Sequence, residues 1–451
     1  MRIGRNRIGS ADRPKEAPIM LTLALVSALC SSPTQDPIPR MLKGIEPARL
    51  KASVETLVSF GTRHSASDTK SETTGIGAAR RWIRDEFHAI SKATGGRLEV
   101  HEQHFTATAR GLGEVDMVNV YGFLPGTSGD PLGRTYVVSG HYDSRAGSGS
   151  DSTSLAPGAD DDGSGTAVVL ELARVMSAGE YSANLVFICV AGEEQGLHGA
   201  KHFAEWAAET GLQVDGMITN DIVGNIHGGN GIIDDKTVRC FSGAEGLHST
   251  SRELARAIGA SARRYVPEAN LRLIFRLDRF GRGGDHIPFH ESGVPAVRLS
   301  EANENYARQH QDLREVDGVE YGDVPEWVSA DYMARVARVN AAALAEWALA
   351  PPAPEQILMR AAVSYDTQLS WSPVDDPSVA GYEIVWRDTT APDWQETQAQ
   401  GPESSVLRVR GNERPIVRAT IKGITADGAF FGVRSVSKSG HRSRVCYPER
   451  P

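Results

Sequence analysis

Apolar side chains recur along this chain with two periods, about 3.6 and about 2 residues, in alternating segments. Ile76, Ala79, Ile83, Phe87 and Ile90 fall at helical spacing, which predicts a helix through that stretch. MVNVYGFLPG (117–126) and RTYVVSGHYDS (134–144) predict strands, the second running out into a Gly/Ser-rich loop that ends near Pro157. A helix is expected after Gly163 with Val168, Val169, Leu172 and Val175 inward, then a strand over 185–190, a helix after Gly196 and a strand over 217–223. The last long helix carries Tyr332, Val336, Val339, Ala343 and Trp347 on one stripe, a pattern of core packing. From Ile45 to Ala350 the alternation predicts an α/β layer fold with a mostly parallel sheet. It stops at PPAP (351–354), the composition of a semi-rigid linker. Beyond it Thr367, Leu369 and Trp371, then Tyr382, Ile384 and Trp386, then FFGVRSVSKSGHRS alternate as strands do, so a small all-β sandwich is expected over 355–451.

A chain of 451 residues with 40% hydrophobic content is too long for one ordinary domain, which agrees with a break at 351–354. Charged residues at 23%, without Cys-dense or low-complexity bulk, exclude a disordered, collagenous or disulfide-scaffold protein. The formal charge is −9 and no Lys/Arg run tracks a phosphate backbone, which argues against a nucleic-acid partner. The N-terminus departs from this average. Arg2, Arg5, Arg7, Arg13 and Lys15 precede the apolar IMLTLALVSALC (19–30), too short to span a membrane. A basic region, an apolar core and small residues near Ala28 to Ser32 read as a secretory signal over residues 1–30, hence a secreted or periplasmic protein with no membrane span in its mature form. Only Cys189, Cys240 and Cys446 would remain, so at most one disulfide can form. Cys189, inside NLVFICV, reads as core, which leaves Cys240 with Cys446 as the available pair.

Candidate chemistry collects where predicted strands end, the place where an open α/β sheet keeps its ligand. SGHYDS puts His141 after an apolar strand, with Asp143 on the same face by period-two spacing. PGADDDGSG brings Asp160, Asp161 and Asp162 to a helix start, where Asp162 can serve as the cap and a divalent cation would relieve the repulsion. VFICVAGEEQG delivers Glu193 and Glu194 to a strand end, so that one can hold a metal while the other addresses a water. MITNDIVGN places Asp221 at another strand end, and NENYARQHQD offers His310 in a polar loop. Singly, each has an ordinary structural reading. Together, two His and three carboxylates suit a pair of zinc ions, with a further acid as general base. No GxSxG elbow is present, His290-Glu291 lacks the second His of HExxH, and no carboxylate separates His198 from His202.

With SGHYDS, PGADDDGSG, AGEEQG, Asp221 and His310 in this order, the chain resembles the secreted dizinc leucyl aminopeptidases of bacteria, metallopeptidase family twenty-eight, over residues 130–315 and more loosely 45–350. The resemblance implies a three-layer α/β/α catalytic domain with a mixed sheet over 45–350, and two Zn2+. Asp161 would bridge the metals, with His141 and Asp221 on one zinc and Glu194 and His310 on the other. Glu193 would be the general base acting on a metal-bridging water, and Asp143 would support His141. In GRGGDHIPFHESGVPAV, Asp285 and His286 would line the site without binding metal. The substrate would be the N-terminus of a peptide or protein. An oxyanion-binding residue is unassigned, with Tyr306, Arg308 and Arg282 as candidates. The C-terminal stretch resembles a fibronectin type III sandwich in LSWSPVDDPSVAGYEIVWR and FGVRSVSKSG, which implies contact with a partner or the adjoining domain and no chemistry. A carboxypeptidase or a glutaminyl-cyclase-like enzyme on the same fold, and a non-catalytic binding protein, are the competing expectations.

Overall fold

The computed structural model describes residues 36–109, 111–244, 248–401, 407–408 and 415–449; the expected secretory signal lies outside them. Eight strands form one sheet: β1 (Glu99–Ala109), β2 (Gly113–Leu124), β3 (Thr135–His141), β4 (Asn184–Val190), β5 (Val214–Asn220), β6 (Thr237–Ser242), β7 (Asn270–Ile274) and β8 (Ala296–Glu301). Their order is β1-β2-β4-β3-β5-β8-β6-β7. The central run β4-β3-β5-β8 is parallel, whereas β1, β2 and β6 join by antiparallel pairings. In β4, Leu185, Phe187 and Cys189 enter one core and Val186, Ile188 and Val190 the other. Burial on both faces explains why NLVFICV is a continuous apolar run.

The helices are α1 (Ile38–Leu42), α2 (Pro47–Ser59), α3 (Gly75–Ala93), α4 (Gly163–Met176), α5 (His198–Thr210), α6 (Thr250–Tyr265), α7 (His286–Glu291) and α8 (Ala330–Leu349). Residues of α2, α4, α6 and α8 share the larger core, while Phe203 of α5 and Phe289 of α7 pack in the core on the other face. Three layers result, as expected. The five stripe residues of α8 are all buried. Among the described residues no helix is long and apolar enough to cross a membrane. Cys189, Cys240 and Cys446 are free thiols.

Past β8 comes an exposed hairpin, β9 (Arg314–Val316) and β10 (Val319–Tyr321), and past α8 two small antiparallel sheets. These contain β11 (Leu358–Arg360), β12 (Thr367–Trp371), β13 (Val379–Asp388), β14 (Glu396–Gln400), β15 (Leu407–Arg408), β16 (Pro415–Ile421) and β17 (Ala429–Ser437), in orders β11-β12-β16-β15 and β14-β13-β17. Leu369, Trp371, Tyr382, Ile384, Val417, Phe431 and Val433 fill one core between them. This sandwich is tied to the helices through charge. Glu253 of α6, 2% exposed, pairs with Arg256 and accepts from Trp394 Nε1 at 2.9 Å and from the Tyr447 hydroxyl. Arg256 Nε also donates to the Pro392 carbonyl at 2.6 Å. Glu346 of α8 accepts from the Arg442 backbone N–H at 3.1 Å and meets His441 Nδ1 at 3.3 Å.

Candidate metal centre

Because β3, β4 and β5 run parallel, their carboxyl ends open on one crevice. His141 closes β3, Glu193 and Glu194 follow β4 in a turn, and Asp221 follows β5. Asp161 comes from the segment before α4. That helix starts tightly against the sheet: Asp162 caps it by accepting from the Gly165 N–H at 2.9 Å, and a Cβ on Gly165 would stand 2.1 Å from the Asn220 carbonyl oxygen. His310 arrives from the loop after β8, with φ of +52°, a left-handed conformation rare for a residue bearing a side chain.

The crevice brings these six together. Ligand atoms of His141, Glu193 and Asp221 lie within 4.8 Å of one another, as do those of Asp161, Glu194 and His310. Asp161 spans the two groups, with Oδ1 3.1 Å from His141 Nε2 and Oδ2 3.1 Å from His310 Nε2. Glu194 Oε2 is also 3.1 Å from His310 Nε2, and Asp221 Oδ1 is 3.9 Å from His141 Nε2. His141, Asp161 and Asp221 are buried, whereas the His310 side chain keeps 31% exposure.

Asp143 lies just past the end of β3 at His141, where the chain turns. Its carbonyl, 3.1 Å from His141 Nδ1, orients the imidazole. Its carboxylate, with Oδ1 3.7 Å from His141 Nδ1, accepts three backbone N–H groups of the Glu193–Glu194 turn: Gly192 at 2.9 Å, Glu193 at 3.3 Å and Glu194 at 3.1 Å. One residue therefore fixes a candidate ligand with its backbone and a pair of acids with its side chain.

Three supporting residues lie outside the motifs read from the sequence. Arg298, buried in β8, places Nη2 2.7 Å from Asp221 Oδ1. Asp323 accepts the backbone N–H groups of Asp160 at 2.9 Å and Asp161 at 2.8 Å. Arg63, also buried, donates to the carbonyls of Tyr142, Pro157 and Gly158, tying the loop before Asp161 to the end of β3. An arginine inside the apolar AVRLS run is the one clue the chain offered for Arg298.

Charges in the crevice are tuned by desolvation and crowding. Burial, then Asp221, Glu194 and Asp285, push the Glu193 carboxyl well above the usual range, against His141. Burial also opposes ionisation of Asp161 and Asp221, yet His141 and His310 hold Asp161 well below its ordinary value, and Arg298 and His141 hold Asp221 to about 2. For His310 burial works against the charge, but Glu194 and Asp161 raise it to about 10. A crowd of acids that recruits protonated imidazoles is a site that a dication would compensate. His141 Nε2 and Glu194 Oε1 are buried without a hydrogen-bond partner. Imidazole nitrogens and carboxylate oxygens of this kind suit zinc.

Asp285 is outside both groups; it is fully buried, with neither carboxylate oxygen hydrogen-bonded, and burial followed by Asp221 and Asp143 raises it to about 7. His286 Nε2 lies 2.7 Å from the Leu277 carbonyl, and burial lowers it to about 4. Two of the oxyanion candidates are engaged elsewhere. Arg308 stacks over Trp327 and donates to Asn225, and Arg282 donates to Glu304 and Gln309. Tyr306 is 70% exposed. His202 stacks on Phe105.

Residues 119–330 match the family described as Peptidase family M28. The chain is similar to a probable zinc metalloprotease of Leptosphaeria maculans, 39% identical over 435 residues that cover 92% of this chain and 97% of the relative. A probable zinc metalloprotease of Pyricularia oryzae is also 39% identical, over 90% of this chain and 82% of its own. Both organisms are fungi, so the likeness is not confined to the bacterial enzymes that the motifs resemble. In fold the chain is similar to the LapA aminopeptidase of Legionella pneumophila, with a TM-score of 0.52 at 20% identity over 69% of this chain and 74% of that one. The motifs, the crevice they build and relatives 39% identical over nine-tenths of the chain agree: the chain belongs to peptidase family M28.

Proposed function

We propose that the protein is a secreted zinc aminopeptidase that holds two zinc ions, His141 and Asp221 on one, Glu194 and His310 on the other, and Asp161 between them. The observation that carries this reading is the span of Asp161, whose two oxygens each stand 3.1 Å from a different imidazole. Bound zinc supplies polarisation of the scissile carbonyl and a more acidic water. Glu193, grouped with His141 and Asp221, acts as the general base, removing a proton from the attacking water and returning it to the leaving amine. Asp143 holds Glu193 and Glu194 in place through their backbone, and Arg298 holds Asp221 ionised. The acid-rich crevice attracts the free amine of a peptide N-terminus. The leucyl-aminopeptidase resemblance adds an apolar first residue. Residues 1–30 would direct export to the exterior or periplasm. Residues 45–350 would form the catalytic domain, and 355–451 a fibronectin type III-like module, consistent with its four- and three-stranded sheets.

Metal analysis joined to digestion of a peptide library tests the reading. Two zinc ions per chain, shortening from the N-terminus and no action on N-blocked peptides are expected. Trimming from the C-terminus, or one zinc with cyclisation of N-terminal Gln, would replace it by the carboxypeptidase or cyclase alternative.

A further inference from the structure

The hairpin of β9 and β10 stands apart from every sheet. Its strands pair only with each other among the described residues, and Asp317 and Gly318, with φ of +52° and +77°, make the tight turn. Val316 faces Val319 across the pair, Arg314 faces Tyr321, and Glu315 faces Glu320. By the two-residue period of strands, Arg314, Val316, Val319 and Tyr321 share one face and the two glutamates the other. Val316 and Val319 remain 45% and 47% exposed, and Leu313 at the base 41%. A two-stranded hairpin is marginal in water, and like charges directly opposite weaken it further.

Its two ends are set in the wall of the metal centre. Leu313 is three residues past His310, and Asp312 Oδ1 accepts the N–H of Gly147, in the loop that leaves Asp143, at 3.0 Å. At the other end Gly322 donates to the Ala307 carbonyl at 3.0 Å, and Asp323 clamps Asp160 and Asp161. We propose that this hairpin docks the chain of a peptide substrate downstream of the cleaved bond, as an added strand that alternates apolar and basic residues. The inference rests on the aminopeptidase reading. The free hairpin edge supplies backbone pairing, the valine face accepts apolar side chains, and Glu315 and Glu320 accept a Lys or Arg.

The test compares zinc-loaded proteins with the hairpin intact, with Val316→Ser and Val319→Ser together, with Glu315→Lys and Glu320→Lys together, and with residues 313–321 replaced by Gly-Ser-Gly. Binding of a fluorescent decapeptide of alternating Leu and Lys is read by anisotropy in a Glu193→Gln background. Hydrolysis of leucine p-nitroanilide is read with Glu193 present. The hairpin variants should bind the decapeptide at least tenfold more weakly and keep anilide hydrolysis within twofold. Binding within twofold of the intact protein, or anilide hydrolysis that falls by the same factor as binding, would overturn the proposal. If the replacement does not fold, the paired substitutions decide. A zinc-loaded wild type inert toward the anilide and toward the decapeptide ends the aminopeptidase reading, while the binding comparison still decides the role of the hairpin.

Discussion

Replacing Asp143 by Asn preserves size and shape and removes a buried charge that faces three backbone donors. The amide keeps one oxygen, able to accept from Gly192 and Glu193, and turns an NH2 toward the Glu194 N–H. A buried donor left unpaired costs about 1–3 kcal/mol. The two surviving bonds change from an ionised to a neutral acceptor, which weakens each roughly by half. A loss of about 2–4 kcal/mol follows, a large share of the ~5–15 kcal/mol typical of a folded protein. Metal affinity should fall as well, because the weakened turn carries Glu193 and Glu194. Urea unfolding of the metal-free protein reads the first effect, and competition with a chromophoric zinc chelator the second. Asp151 is the control: its carboxylate also accepts backbone N–H groups, from Thr153 and Ser154 at 3.0 Å, but on the surface. Asp151→Asn should leave the urea midpoint nearly where it is in the unsubstituted protein. Equal losses at the two positions, or none at Asp143, would refute the assignment of Asp143 as the clamp of the acidic turn.

Glu193→Gln should retain zinc while losing turnover, measured by metal analysis beside anilide hydrolysis; turnover like the wild type would remove Glu193 from proton transfer. Asp161→Asn should lose zinc on dialysis, since one carboxylate serves both groups. Glu253→Ala leaves Arg256 buried opposite an empty space and strips Trp394 and Tyr447 of their acceptor, so a loss of about 3–5 kcal/mol is expected in thermal or urea unfolding. Glu304 gives a pH signature. Burial opposes its charge, but Arg279, Arg239 and Arg282 hold it to about 2, below the ordinary value of about 4.3. Its contribution to stability is present above the ordinary value and is lost as the pH falls through about 2. Glu304→Gln should flatten the acid limb of stability between those values in unfolding measured against pH.

The ends of β3, β4 and β5 are legible in the chain because a strand buried on both faces must be an unbroken apolar run, and the polar residue that interrupts it is then conspicuous. Asp162 is legible as a cap for a similarly local reason. Asp143 is legible as a neighbour of His141, 3.7 Å away, but its hold on the Glu193–Glu194 turn is not, because that contact crosses to the end of another strand. Asp323 and Arg63 act from 162 and 95 residues away, on the N–H of Asp161 and the carbonyl of Gly158, through backbone groups that every residue possesses, so no side-chain pattern marks them. Between β5 and α8 the strands are short and β6 enters antiparallel beside β8, so the alternation of a parallel sheet is lost there, although α6 (Thr250–Tyr265) is an ordinary amphipathic helix that the sequence reading passed over.

The crevice needs Arg63 from before the first strand and Asp323 from after the last strand of the large sheet, with six acidic and imidazole groups between them. A nascent polypeptide still short of residue 323 lacks part of the centre, and so does a fragment that has lost Arg63 or Asp323. The candidate centre is thereby a property of a chain complete through residue 323, and no shorter stretch carries all of its parts.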